Sequence, residues 1–160
     1  MRNLEEGAKV VHKAHGVGTI CGVETLLLGG VSQDYYLLKI DASGLVVRFP
    51  TVSGSHQVRG LVDEKEIREV YEILGSPPRN YSMVWNRRKK EFLDKIKSGS
   101  LFEIAEVLRD LSRLGDGKEL SFGEKEMLEK ARERIINEIS AARSQTSKEV
   151  GDELDQYLCH

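Results

Sequence analysis

Tyr81 to Lys97, YSMVWNRRKKEFLDKIK, is the stretch from which the organisation of the rest of the chain follows. It holds the single tryptophan, Trp85, two residues ahead of four consecutive basic side chains, Arg87 to Lys90. Six Lys/Arg against two acids give a local charge of +4 in a protein whose net charge is -2. A positive field gathered so tightly points to a polyanionic partner. On a helix turning about 100° per residue, Trp85, Phe92 and Ile96 fall within about 40° of one another and form an apolar stripe. Arg87, Lys90 and Lys97 take the opposite face with Asp94 among them, and Arg88 and Lys95 flank the stripe. One reading is a packing helix with a solvated back. The other gives Trp85, in the first turn, a place overhanging the end of a helical bundle beside cations, a tool suited to DNA.

The composition sets the frame. At 160 residues, 39% hydrophobic and 31% charged, the chain has room for one medium domain or two small ones. No apolar run approaches the roughly eighteen residues of a membrane helix, and MRNLEEGAKVV is too acidic for a signal peptide. Cytosolic residence is therefore expected. Cys21 and Cys159 lie too far apart in sequence to suggest a disulfide framework, in keeping with a reducing compartment.

From Ala8 to Phe49 the chain is rich in Val, Leu, Ile and Tyr and is cut by turn signals, the mark of a compact all-β module of four or five strands. Lys9 to His12 is the first, and Gly16 with Gly18 supplies the positive φ or bulge for a corner into Thr19 to Leu28. Gly29-Gly30 makes a hairpin turn into Asp34 to Ile40. Asp41 to Gly44 turns the chain into Leu45 to Phe49, which Pro50 stops. A short strand near Gln57 to Gly60 would close a small barrel. Alternation sets Leu45, Val47 and Phe49 on one face and Val46 with Arg48 on the other, so Arg48 is expected to point outward beside an exposed valine, a candidate docking face. His12, His15, Cys21 and His56 lack the ligand spacing of a zinc site, and no metal or other cofactor is expected. His15 to Gly18 likewise lacks the Gly-Lys-Ser/Thr ending of a phosphate-binding loop.

After Leu61 the apolar period changes from two to that of a helix, which divides the chain into residues 1–61 and 62–160. Asp63 with Glu66 caps a helix to about Leu74, ended by Gly75 and Pro77-Pro78. The basic helix follows and stops at Gly99. Ser100/Glu103, Ser121/Glu124 and Thr146/Glu149 then repeat the Ser/Thr-x-x-Glu spacing of a capping box. The stripes behind them (Leu101, Ile104, Ala105, Leu108, Leu111; Met127, Leu128, Ala131, Ile135, Ile139; Val150, Leu154, Leu158) must bury one another in a small all-α bundle. Residues 98–120 carry three basic against five acidic side chains and residues 144–160 one against four, while 121–143 balance at five each, so the polyanion site is local. Lys125 and Lys130 are its nearest extension. No nucleophile, base and orienting group gather in a readable motif, which sets aside an enzyme.

Taken end to end, the chain resembles the CarD/CdnL family of bacterial regulators that bind RNA polymerase. The resemblance is carried by KVVHKAHGVGTICGVE (9–24), YYLLKI (35–40), VVRFP (46–50), WNRRKK (85–90), KIKSGSLFEIAEVLRDL (95–111) and LSFGEKEMLEKARE (120–133). It implies a Tudor-like (SH3-like) N-terminal β barrel, residues 1–61, docked on the polymerase β subunit. It also implies a helical domain, residues 62–160, touching promoter DNA without sequence preference at the upstream edge of the transcription bubble, in a monomer with no catalytic activity. By position, Arg48 with Val46 belongs to the polymerase contact, Trp85 is the wedge at the bubble fork, and Arg87, Arg88, Lys90 and Lys125 belong to the DNA-binding set. His12-Lys13 and Leu26 to Leu28 depart from the family pattern, both in the docking domain. The β module also resembles the polymerase-binding part of transcription-repair coupling factors, though no motor motif accompanies it. A protein-interaction adaptor, with the basic helix simply solvated, is the alternative, and a change in DNA footprint around polymerase separates the two.

Overall fold

The alternating N-terminal segments form an antiparallel sheet in the computed structural model, which describes residues 4–52, 56–79 and 85–158, the side chains of Trp85 and Asn86 excepted. Five strands, β1 (Lys9–His12), β2 (Gly16–Leu28), β3 (Val31–Ile40), β4 (Val46–Pro50) and β5 (Val58–Arg59), lie in the order β4-β3-β2-β1-β5. The β2–β3 turn is the two-residue Gly29-Gly30 loop. Both glycines have positive φ, 57° and 79°, the demand of a turn whose twist matches its strands, and Leu28 pairs with Val31 across it. Gly16 has φ 90° at the first corner. Gly18 serves differently: a Cβ there would meet the Leu38 side chain at 2.7 Å, so the missing side chain lets β3 pack close to β2. The bulge itself falls at Cys21, where the β2–β3 register slips between Ile20 and Gly22.

The core of this unit is Val10, Ile20, Tyr36, Leu38, Ile40, Phe49 and Val58, with Val47 partly buried against it. Phe49 and Val47 thus face inward and Arg48 outward, as alternation requires. Leu45, expected beside them, is instead 49% exposed, because β4 begins at Val46 and Leu45 still belongs to the turn. Among the described residues β4 and β5 are the two edges of the row and no ladder joins them, so the sheet is described as open rather than as a closed barrel. His12 is buried, with its Nδ1 accepting the Ala14 amide at 3.1 Å.

Contacts divide the chain into Met1–Leu61 and Val62–His160. The second unit consists of α1 (Glu64–Gly75), α2 (Trp85–Lys97), α3 (Leu101–Gly117), α4 (Phe122–Arg143) and α5 (Ser147–Leu158). Reciprocal capping boxes open α1 at Asp63/Glu66 and α4 at Ser121/Glu124, and Thr146 and Glu149 exchange the same pair of bonds at 3.2 and 3.1 Å ahead of α5. At α3 the box is half made. Ser100 accepts the Glu103 amide at 3.5 Å, but the Ser100 amide donates to the Ser98 hydroxyl at 3.2 Å, a residue supplied by the tight end of α2. Gly99 turns that corner with φ 76°. α3 packs against α1, α2 and α4, and its buried Ile104, Ala105, Val107, Leu108 and Leu111 form the middle of the core. No helix among the described residues is long and apolar enough to cross a membrane.

Candidate nucleic-acid interface and docking face

The basic run on α2 does not act as one block. Phe92 and Ile96 are buried, which fixes the rotation of the helix and sends Arg87, Lys89 and Lys90 to the surface. Arg88 goes inward: it is 8% exposed, and its Nη2 donates to Glu124 Oε2 at 3.1 Å. This corrects the expectation that Arg88 meets DNA, since a buried guanidinium held by a buried carboxylate has no reach to a phosphate. The sequence permitted the inward course, for Arg88 lies about 40° from Phe92 on the helical projection. Lys95, two turns further along the same flank, donates to Glu106 of α3 at 2.9 Å and pins the last turn of the helix.

Glu124 is the hub. Its Oε1 accepts the Ser121 amide at 3.0 Å, its own amide donates to the Ser121 hydroxyl at 3.2 Å, and Oε2 holds Arg88. Burial pushes its carboxyl upward, but the bonds from the Ser121 amide and hydroxyl and the Arg88 guanidinium outweigh that, so it ionises below the ordinary carboxylate range. The start of α2 is thereby held beside the start of α4. Lys125 follows one residue later, exposed, with Glu119 Oε1 at 3.5 Å, and Lys130 is exposed further along. Arg87 and Lys90 of α2 and Lys125 of α4 are all exposed, on helices whose first turns the Arg88–Glu124 pair joins. Trp85 is the first residue of α2, and its side chain lies outside the described residues, as does Cys159.

Two features escaped the sequence pattern. Arg109 and Asp110 of α3 are buried together at 2.8 Å; Asp110 accepts the Arg79 amide at 3.2 Å and Arg109 donates to the Ser76 hydroxyl at 2.9 Å. The pair fastens the segment that leads toward the basic helix, a reason for charged residues in an otherwise apolar stripe. The other is Phe122, the first residue of α4, exposed at 77%. Its signal was legible, since it sits about 140° from Met127 on the helical projection, well off the stripe.

On the β unit, Arg48 and Val46 both project from the outer face of the edge strand β4. Arg48 keeps half its side chain exposed while Nε donates to Glu24 Oε2 at 3.1 Å. Tyr35 pairs with both Glu24 and Pro50, and Leu37 pairs with Arg48, so this ion pair spans β3 from β2 to β4 over Tyr35 and Leu37, with Lys39 beside Val46 on the same face. A guanidinium on an open edge, flanked by apolar side chains, suits a protein partner better than a small ligand.

The β-sheet unit and the helical unit that follows it match, in that order, the two domain models of CarD-like transcription factors. The chain belongs to that family. The family model described as CarD, C-terminal domain, matches residues 69–155, and that described as CarD-like/TRCF RID domain matches residues 4–72, running into α1. YdeB of Bacillus subtilis, named as a candidate transcription factor, is 32% identical over 145 residues, 90% of this chain and 95% of that protein. A transcription-repair-coupling factor of Staphylococcus aureus is 30% identical over 110 residues, 69% of this chain but 8% of its own length. The family is one of transcription factors and not an enzyme class.

Proposed function

We propose that this protein is a non-enzymatic regulator of transcription initiation. Its β unit, read as a Tudor-like module, docks on the β subunit of RNA polymerase through Arg48 and Val46. Its helical unit holds the open promoter complex through sequence-independent contacts at the upstream edge of the bubble. Arg87, Lys90 and Lys125 meet phosphates, Trp85 wedges at the fork, and Arg88 holds α2 in place without touching DNA. The observation that supports the reading is the buried Arg88–Glu124 pair, which joins the first turns of the two helices that carry exposed Arg87, Lys90 and Lys125.

Phosphate contacts position without specifying sequence. A few of them are individually weak and salt-sensitive, so the docked β unit must supply the local concentration. One aromatic–base contact is worth about 1 to 3 kcal/mol, enough to move an open–closed balance about 5- to 150-fold. The protein works as a monomer in the cytoplasm, at the nucleoid. The test is co-purification with RNA polymerase followed by footprinting of a promoter complex. The expected result is retention on polymerase and new protection at the upstream fork; retention without protection would make the protein an adaptor, and loss of retention would remove the docking role.

A further inference from the structure

The start of α4 carries an aromatic side chain to which the proposed function gives no task. Phe122 is the first residue of α4, 77% exposed, directly after the cap residue Ser121. Single exposed apolar residues are common and need no explanation by themselves. This one is singular in its surroundings. The Ser121–Glu124 capping box fixes the turn on which it stands, Glu124 holds Arg88 from the start of α2, and Lys125 is one helical turn on. A rigid turn presenting a bare ring beside Lys125 combines the two elements that single-stranded nucleic acid requires, a stacking face and a positive charge.

The charges further along α4 set the extent of the contact. Phe122 and Lys125 share a surface hollow with Glu126, Glu129, Lys130 and Glu133. Three carboxylates against two amines repel a phosphate backbone laid along the shaft, so a nucleic acid fits only across the first turn. We infer that Phe122 is a second aromatic contact to promoter DNA, stacking on an unpaired base at the fork while Lys125 holds the adjoining phosphate. This rests on the proposed DNA contact and adds a residue and a substrate form, the unpaired base, to it.

The test uses the full chain and a fluorescently labelled fork, a duplex with a single-stranded arm, titrated by anisotropy at several low salt concentrations beside an uninterrupted duplex. Phe122→Ala should weaken fork binding about 5-fold or more, leave duplex binding within about 2-fold, and leave the slope of log affinity against log salt unchanged, because no cation is lost. Phe122→Trp should bind the fork at least as well as the parent. Lys125→Gln should instead lower affinity for both DNAs and reduce the salt slope by about 1. Fork binding by Phe122→Ala equal to the parent, with Arg87→Glu still weakened, would overturn the stacking role and leave the DNA contact standing; if Arg87→Glu is also without effect, both fall. A lowered melting temperature for Phe122→Ala, or a parent dimer that this substitution dissociates, would give the ring a structural or self-association role and overturn the inference as well.

Discussion

Glu124→Gln separates the charge of the Arg88–Glu124 pair from everything else that Glu124 does. Glutamine keeps the length of the side chain and an oxygen to accept the Ser121 amide, now at 3.0 Å, and Gln serves a capping box as Glu does, so the start of α4 is retained. What goes is the negative charge facing Arg88 in a setting where Glu124 is 3% exposed and the arginine 8%. A hydrogen bond to a charged group contributes about 1.5 to 3 kcal/mol when buried, and a cooperative unit of about 100 residues loses about 4–8 °C per kcal/mol, which gives a fall of roughly 6–24 °C. The double substitution Arg88→Met/Glu124→Gln should recover much of this, because the isolated charge, not the missing pair, is the larger cost. Helix unfolding followed by circular dichroism at 222 nm measures both. The pH dependence gives an independent check of sign. Glu124 ionises below its ordinary 4.5, so its contribution is complete above about pH 5 and is lost as pH falls through the lowered value; the difference in melting temperature between parent and Glu124→Gln should close in acid and stay constant toward neutrality. A Glu124→Gln protein melting within about 2 °C of the parent at pH 7 would refute the buried staple, since a surface pair contributes about that little.

Arg48→Glu should abolish capture of RNA polymerase while the protein still folds, because the substitution sets two carboxylates together at Glu24 and reverses the charge offered to the partner; the exposed pair it breaks contributes about 0 to 1 kcal/mol. Pull-down at parental strength would remove Arg48 from the docking face. Arg87→Glu or Lys90→Glu should weaken an already weak, salt-sensitive and sequence-indifferent binding to duplex DNA; tight binding that survives unrelated competitor in a gel shift would contradict the phosphate role. Trp85→Ala should leave the melting temperature nearly unchanged and polymerase capture intact while shortening open-complex lifetime, with Trp85→Phe intermediate. A core tryptophan would instead cost about 3 to 5 kcal/mol on truncation, so a sharp loss of stability, or an unaltered lifetime, would sink the wedge.

Local chemistry made the scaffold legible. Gly29-Gly30 fixes its own turn because few other residues accept two positive φ values in succession, and Asp63 or Ser121 followed three residues later by Glu closes a bond pair that needs no distant partner. Features that depend on distant residues did not show. Gly16 supplies the expected positive φ at the first corner, but Gly18 serves the approach of Leu38 from another strand, and the bulge lies at Cys21. Leu45 has the alternation of a core residue, yet the turn delays the strand by one position. Arg88 is the instructive case: three of the four charges in RRKK are solvated, and only a carboxylate 36 residues away decides that the fourth is buried. Within α2 the projection picks out Arg88 and Lys95 as the two cations at the edge of the stripe, but their partners lie on α4 and α3 and do not show in α2 alone. Arg109 and Asp110 were hidden likewise, their targets being Ser76 and the Arg79 backbone.

The burial of Arg88 changes how the basic helix is to be understood. If all four basic side chains faced solvent, α2 would offer a stronger polyanion surface but nothing polar to fix it against α4. With Arg88 turned inward, one cation is given up for orientation: the Arg88–Glu124 and Lys95–Glu106 pairs hold the helix to α4 near its start and to α3 in its last turn, two turns apart along the same flank of the Phe92–Ile96 stripe. Under the proposed function, exposed Arg87, Lys90 and Lys125 would make few phosphate contacts and would bind DNA poorly by themselves. Poor intrinsic affinity suits a protein whose placement comes from another contact, because a strong free-standing DNA binder would be drawn onto the large excess of duplex away from polymerase. On that reasoning, a substitution that adds cations to the same helices should strengthen binding to bulk DNA faster than it strengthens the open complex. Under the proposed function the buried arginine would therefore limit affinity and fix geometry in one step.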